Sequence, residues 1–409
     1  MVLILRGLVS STVYEDFLAR TRTSARLHER YRGTLPGGET RSIAHFEPYP
    51  LVIVEGHGCR TRDADGNVFV DVLNNYTSLV HGHAFAPVVS AIRAALDDGI
   101  VFPAPHPAQA ELAEFLVDRY PAIERVRFTN SGTEAASLAL RIARAETGRR
   151  KIVMVQGGYH GSLAEFADRH PDVRRIPFDD VAAAMAIDDT TAAVVAEPFL
   201  GVGGVAPATS SFLGALQQRA NEIGAVFVLD EVQSLRNHVH GMHASYGLEP
   251  DLVLMGKIIG GGLPVGAVGG RAELLDSTLA GSNAPVNHSG TFNGNVATMR
   301  AGIACLAALD ESAIARLNQN AGELAARLEQ AAAEAGIPAH VTRAGSIMQV
   351  HIEPSDADAL PSALHIALLL EGVYASPRGM LNLATSLSAA DLTQVADAYA
   401  AAFGRLRDM

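Results

Sequence analysis

Leu252-Val253-Leu254-Met255-Gly256-Lys257-Ile258-Ile259-Gly260-Gly261-Gly262 is an apolar run that ends on a lysine and opens a glycine tract. Only two lysines, Lys151 and Lys257, occur among the 32 basic residues of this 409-residue chain. The sequence carries its cations almost wholly as guanidinium, which stays protonated, yet here it keeps an amine. An amine can lose its proton and attack a carbonyl carbon, so Lys257 reads as a candidate nucleophile. The bland reading is a lysine whose stem lies along apolar surface while its ammonium reaches water. The run taken alone does not separate the two.

A second run shifts the balance. Val226-Phe227-Val228-Leu229-Asp230-Glu231 is also apolar, ends in carboxylates and precedes Lys257 by one short helical stretch. An Asp and a Lys at successive strand ends are the two anchors that pyridoxal 5'-phosphate (PLP) requires. The amine forms a Schiff base with the aldehyde, and the carboxylate keeps the pyridine nitrogen protonated so that the ring can accept electrons.

Working outward, apolar runs alternate with helical stretches from about Pro87 to Arg300. Strands are predicted at Val126–Thr129, Lys151–Val155, Ala192–Glu197, Ala225–Asp230, Leu252–Met255 and Val265–Gly269, with helices such as Glu134–Thr147 and Ser211–Ile223 between them. This alternation predicts an α/β fold, a mostly parallel sheet with helices on both faces. Ligands of such sheets sit outside the carboxyl ends of the strands, where the chemically rich residues of this chain fall.

Near the N-terminus, Ser11 to Arg32 has helical spacing, and strands are expected at Pro50–Val54 and Val68–Val72 around the turn Asp63-Ala64-Asp65-Gly66-Asn67. After Ala301 come Ala- and Leu-rich helices, Ala313–Ala335, Ser362–Leu370 and Ala389–Phe403, with a strand at Ile347–Ile352. The expected division is a large PLP-binding domain over 60–312 and a smaller α+β domain built from 1–59 and 313–409.

Composition narrows the function. A net charge of −12 and a pI near 5.7 argue against nucleic acid or an anionic membrane as partner. Cys59 and Cys305 fit no metal spacing and are read as reduced thiols. The opening Met1-Val2-Leu3-Ile4-Leu5-Arg6 is too short an apolar cluster for an export signal, and no run reaches the roughly 20 residues needed to span a bilayer. A soluble, cytoplasmic protein is expected.

Further motifs fall at strand ends. Phe128-Thr129-Asn130-Ser131-Gly132-Thr133-Glu134 would place hydroxyls and amides at a helix start, an anion site suited to phosphate, although an ordinary N-cap looks the same. Val155-Gln156-Gly157-Gly158-Tyr159-His160-Gly161 could lay an aromatic ring against a cofactor, or be a turn with an exposed Tyr. Glu197-Pro198 ends another strand. Each motif is weak, but their order along the chain is specific. His238, His240 and His243 lie close in sequence, yet no acid or thiol completes a ligand set, so no metal is expected.

The segments Asn130-Ser131-Gly132-Thr133-Glu134-Ala135, Gly158-Tyr159-His160-Gly161, Asp230-Glu231-Val232-Gln233, Gly256-Lys257-Ile258-Ile259-Gly260-Gly261-Gly262 and Gly290-Thr291-Phe292 together resemble the class III (subgroup II) PLP-dependent aminotransferases, a group that includes the glutamate-1-semialdehyde aminomutases. The likeness runs from about Thr34 to Leu406. It implies a fold-type I transferase that works as a homodimer with shared active sites. By the same resemblance, Lys257 carries the cofactor, Asp230 pairs with its pyridinium, Val232 lies behind the ring and Gln233 near its phenolic oxygen. Tyr159 covers the other face, Ser131, Gly132 and Thr133 hold the phosphate, and Thr291 reaches the phosphate of the neighbouring subunit.

Two arginines bear on substrate. Arg41 in Pro36-Gly37-Gly38-Glu39-Thr40-Arg41-Ser42 and Arg378 in Ala375-Ser376-Pro377-Arg378-Gly379 resemble carboxylate-binding positions of the β-phenylalanine (β-amino acid) aminotransferase branch. A guanidinium grips a carboxylate through two parallel hydrogen bonds, whereas an arginine with no such role is a solvated surface residue. The aminomutases usually carry Phe-Glu where this chain has Arg378-Gly379, and Gln233 stands where the β-amino acid enzymes have Met. The expected activity is transfer of an amino group from an amino acid donor, with β-amino acids among the candidates, to an oxo acid acceptor by a ping-pong route. Two alternatives stay open: a 2,1-aminomutase, and a PLP-fold protein that binds ligand without turnover.

Overall fold

A computed structural model describes residues 11–166, 170–280, 284–353 and 359–407. The opening segment on which the export reading rested lies outside the described residues. The chain divides into two compact units.

The unit formed by Thr77–Leu79 and Ala86–Arg316 contains a seven-stranded sheet. Its strands run in the order Arg125–Thr129, Gly266–Gly270, Leu252–Gly256, Val226–Asp230, Thr191–Ala196, Lys151–Val155 and Val173–Ile176. All pairs are parallel except those made by Gly266–Gly270, which lies antiparallel to both neighbours. The expected strands are present to within a residue or two. Val173–Ile176 was not foreseen, because an edge strand reading Val-Arg-Arg-Ile has too little apolar character to register.

Both faces of the sheet are covered, which explains why its strands read as continuous apolar runs. Ile152, Met154, Ala193, Val195, Val226 and Val228 point to one face, against Ala135, Ala136, Ala139 and Ala143 of the helix Gly132–Thr147. Val153, Val155, Val194, Ala196, Phe227 and Leu229 point to the other, against Phe212, Leu213 and Leu216 of Ser210–Ile223. Successive residues alternate faces as pleated strands require. The alanine stripe lets the first helix approach closely, and each helix stops at a left-handed glycine, Gly148 or Gly224.

The other unit comprises Met1–Tyr76, Val80–Phe85 and Leu317–Met409. It holds a four-stranded sheet of Ile53–His57, Arg60–Asp63, Val68–Asp71 and Val373–Tyr374, and a three-stranded antiparallel sheet of Ala339–Ala344, Ile347–Ile352 and Met380–Asn382. Ser11–Arg20, Arg22–Tyr31, Ala359–Leu370 and Ala389–Arg407 are its helices, with the greater part of Glu311–Ala335. One expectation is corrected. The turn at 63–67 joins Val68–Asp71 to Arg60–Asp63, not to Pro50–Val54. Arg60-Thr61-Arg62-Asp63 looks polar in sequence, but Thr61 and Asp63 are its buried face, and Asp63 Oδ1 accepts the Asp65 and Asn67 amide N–H groups at 3.0 and 2.8 Å.

The strand Gly266–Gly270 reaches its place only because it carries little side chain. A Cβ on Gly266 would stand 2.0 Å from the Ser131 carbonyl oxygen and 2.4 Å from Thr129 Oγ1. Gly266→Ala should therefore lower the midpoint of urea unfolding by an amount equivalent to about 2–3 kcal/mol, the range for overpacking a closed core.

Candidate active site

The carboxyl ends of the parallel strands gather the reactive groups. Val226–Asp230 ends on Asp230, and Leu252–Gly256 hands over directly to Lys257, which opens a short 3-10 turn to Gly260. Asp230 pairs in register with Leu254, so the two side chains leave adjacent strands within one turn of chain. Lys257 has φ of +50°, in the left-handed region that residues with a Cβ avoid. Strain of this kind persists where surroundings over-determine a functional residue. Burial pushes the Lys257 ammonium below its ordinary pKa, and the Arg236 cation adds to this, while the Asp230 and Glu197 charges oppose it. A larger share of its amine is thereby free of a proton near neutrality.

Asp230 is held from behind. Its Oδ2 lies 2.8 Å from His160 Nδ1, and its Oδ1 accepts the Val232 backbone N–H at 3.0 Å. His160 is fully buried. Burial pushes its imidazolium down, but the hydrogen bond and charge of Asp230, joined by Glu197, outweigh that and raise it. This contact ties the buried ring to the carboxyl of Asp230. His160 Nε2 is buried without a partner among the described residues.

Glu197 lies just past the end of Thr191–Ala196 and takes backbone N–H groups from Tyr159 at 3.0 Å and Gly201 at 3.2 Å. Burial pushes its carboxyl up to about 7, opposed by the His160 cation and the two backbone donors and reinforced by Asp230. Gly158 permits the arrangement, since a Cβ there would lie 3.2 Å from His160 Nε2 and 3.4 Å from Glu197 Oε2. The second acid of the Asp230-Glu231 pair has a different task. Glu231 accepts the His243 ring and backbone N–H at 2.7 Å each, the Met242 N–H and the Ser234 hydroxyl. Burial opposes its ionisation, yet these donors hold its carboxyl below the usual range. His243 of the histidine trio is thus engaged by a carboxylate within the core.

Glycines shape the rest of the pocket. A Cβ on Gly132 would lie 3.2 Å from Val232 Cγ2, and one on Gly256 3.3 Å from Val232 Cγ1, so Val232 is wedged between the two backbones. The Gln233 side-chain oxygen fills the place of a side chain on Gly201, 1.8 Å from where its Cβ would stand. Ser131 caps the helix Gly132–Thr147 by accepting the Glu134 N–H at 3.1 Å, and Thr133 Oγ1 accepts the Ser162 N–H at 3.4 Å. The Tyr159 ring is 54% exposed. Thr291 is exposed beside Phe292, which is 61% exposed.

Arg41 and Arg378 belong to the other unit, where both lie close enough to Tyr76 for their charges to favour its phenolate, against the burial that raises its pKa. Arg41 Nη1 donates to Asn75 Oδ1 at 2.7 Å, and the Tyr76 hydroxyl donates to the Ile43 carbonyl at 2.6 Å. Asn74, Asn75, Tyr76 and Thr77 all have positive φ, of 46, 48, 54 and 75°. That conformation costs about 1–2 kcal/mol for a residue with a Cβ, less for Asn.

Ser131, Gly132, Thr133, Tyr159, Asp230, Val232, Gln233, Lys257 and Thr291 therefore lie in one unit, and Arg41 and Arg378 in the other. Sequence reasoning quoted His160 and Glu197 without giving either a task, and it passed over Asn75 and Tyr76. The signal for His160 was its place in the Gly158–Gly161 segment, but nothing local shows that it meets Asp230, 70 residues on. The residues present suit PLP: a buried amine of lowered pKa, a carboxyl hydrogen-bonded to a buried imidazole, a valine wedged between two glycine backbones, and hydroxyls at a helix start.

Because the Glu197 carboxyl is raised from 4.5 to about 7, the stability it lends is complete below pH 4.5, declines as pH rises, and is gone once pH passes 7. Glu197→Gln removes this titration. Relative to the parent, urea unfolding should show the variant gaining on the order of 2–3 kcal/mol between pH 5 and 8, whatever constant offset the amide introduces. A pH-independent offset would contradict the assignment.

Comparison with known proteins identifies the family. The family described as Aminotransferase class-III matches residues 43–171 and 164–402. The beta-phenylalanine transaminase of Variovorax paradoxus is 37% identical over 413 residues, covering 96% of this chain and 94% of its own length. The glutamate-1-semialdehyde 2,1-aminomutase 2 of Geobacillus kaustophilus is 33% identical, covering 91% and 96%. A transaminase solved with PLP bound superposes with a TM-score of 0.90 at 33% identity, covering 95% of this chain and 98% of its own. The chain belongs to the class-III aminotransferases, PLP-dependent enzymes of fold type I.

Proposed function

We propose that this aminotransferase takes an amino acid, with β-amino acids as its favoured class, as donor and an oxo acid as acceptor, through Lys257 as the covalent and proton-moving residue. The observation that carries the reading is the Lys257 amine, its pKa lowered by burial, one strand away from an Asp230 carboxylate held by His160. When bound, PLP supplies an aldehyde carbon and an electron-accepting ring. Asp230 would offer its carboxylate to the ring nitrogen of the cofactor, oriented by its contact with His160. Val232 and Tyr159 bound the slot on its two faces, Gln233 donates or accepts beside it, and Ser131, Gly132 and Thr133 offer hydroxyls and amides to a phosphate. Lys257 would serve the substrate carbon as general base and then as general acid, moving one proton.

Arg41 and Arg378 are proposed to hold the substrate carboxylate, supported by their convergence beside Tyr76. The printed activity of the Variovorax relative supports the β-amino acid reading. The exposed Thr291 and Phe292 suit a homodimer in which Thr291 completes the phosphate site of the neighbouring subunit. Two buried cysteines outside any disulfide suit a cytoplasmic setting, and among the described residues no helix is long and apolar enough to cross a membrane.

The test follows the cofactor colour. Addition of a β-amino acid alone should bleach the holoenzyme, and an oxo acid should restore it; isomerisation of the donor without an oxo acid would instead identify an aminomutase. Lys257→Ala should lose about 10³-fold or more in turnover, as removal of a covalent and proton-transfer group requires. Arg378→Ala should raise KM for carboxylate-bearing substrates about 10- to 100-fold and leave simple amines unchanged. Equal losses for both kinds of substrate would remove Arg378 from substrate binding.

A further inference from the structure

Four consecutive residues with side chains, Asn74 to Thr77, follow a left-handed path. Such turns are rare because each Cβ crowds its own carbonyl, and they survive where neighbouring structure dictates them. Here a buried network does so. Asp71 Oδ1 accepts the Leu73 and Asn74 backbone N–H groups at 2.8 Å each. The Asn74 side chain donates to the Asn382 carbonyl at 2.9 Å, and the Asn382 side chain donates back to the Leu73 carbonyl at 2.7 Å. Asn74 and Asn382 are both fully buried.

Two side-chain contacts of the turn go to the same place. Asn75 Oδ1 takes the Arg41 guanidinium. The Tyr76 hydroxyl takes the carbonyl of Ile43, in the 3-10 turn Ser42–Ala44 that immediately follows Arg41. One bond fixes the charged end of Arg41 and the other fixes the backbone beside it. A turn of the opposite hand would redirect both Cβ atoms. The acceptor is also an amide: it orients the guanidinium without neutralising it, whereas a carboxylate would compete with an incoming anion. Arg378 approaches the same Tyr76 from Ser376-Pro377-Arg378, where its backbone N–H is held by Ser376 Oγ at 3.2 Å.

We propose that the left-handed turn Asn74–Thr77 is a positioning device for Arg41, with Asn75 and Tyr76 setting the guanidinium for the substrate carboxylate and thereby determining selectivity for carboxylate-bearing substrates. The inference rests on the reading of Arg41 as a carboxylate ligand. Asn75 and Tyr76 are positioning residues, acting through Arg41.

The test uses the holoenzyme, four single variants and one double variant. Asn75→Gly keeps the positive φ at no steric penalty and deletes the amide; Tyr76→Phe deletes only the hydroxyl; Asn75→Asp keeps the acceptor and adds a charge; Arg41→Ala removes the group being positioned. Asn75→Gly and Tyr76→Phe should each raise KM for a β-amino acid, and Kd for the amine-free probe 3-phenylpropanoate, about 5- to 20-fold with kcat within about twofold. Asn75→Asp should weaken both further, and Asn75→Gly should add nothing in the Arg41→Ala background. If Arg41→Ala weakens the probe while Asn75→Gly and Tyr76→Phe do not, the positioning role is overturned and the Arg41 reading stands. If Arg41→Ala leaves the probe unaffected, both are overturned. A fall in kcat of equal size for a carboxylate substrate and for a simple amine would mark the turn as merely structural and overturn the proposal as well.

Discussion

The contact between His160 and Asp230 is the constraint on which the chemistry of the sheet edge depends. The Asp230 carboxyl is only 6% exposed, and a buried polar group of this kind needs a partner in place of water. The His160 ring supplies it at 2.8 Å, and its own burial makes the contact directional and hard to replace with water. A buried pair of this kind adds little net stability, because desolvation of both partners offsets their attraction. Its contribution is an anionic oxygen held at one place and one orientation. Lys257 sits at the next strand end, where burial lowers the pKa of its amine. One buried setting thus holds a hydrogen-bonded carboxyl and an amine of lowered pKa on adjacent strands.

Around this pair the fold supplies close approach. The parallel strands are buried on both faces, so they cannot shift without exposing core, and their carboxyl ends are held to within the register of the ladder. Glycines then decide where side chains fit. Gly132 and Gly256 make room for Val232, Gly158 for the meeting of His160 with Glu197, and Gly201 for the amide of Gln233. Each is a place where a Cβ would press on a residue of the site. Glu197 gives the site a third titrating group, tied to the Tyr159 backbone, so the segment carrying the aromatic ring and the acid–imidazole pair share one electrostatic environment.

The second unit holds Arg41 beside a strained turn. An arginine side chain has several rotatable bonds, and ordering it costs entropy. One hydrogen bond from Arg41 to Asn75 restricts that freedom, a second from Tyr76 fixes the backbone at Ile43, and the turn is tied by Asp71, Asn74 and Asn382.

The sequence by itself determined the α/β alternation, the parallel core and the chemistry-bearing positions at strand ends, because apolar runs of fixed length, helix caps and a scarce amine are local features. The placement of Lys257 and Asp230 at strand ends and of Ser131–Thr133 at a helix start was legible for that reason. It misplaced the partner of Val68–Asp71, since a charged run with a buried alternate face looks like loop, and it missed Val173–Ile176 on an edge. Only the tertiary structure decided that His160 supports Asp230, that Glu231 serves His243 and not the slot, and that Arg41 is held by Asn75. Each is a contact between residues distant along the chain, and protonation states follow from burial and from neighbours, which a linear string of residues does not contain.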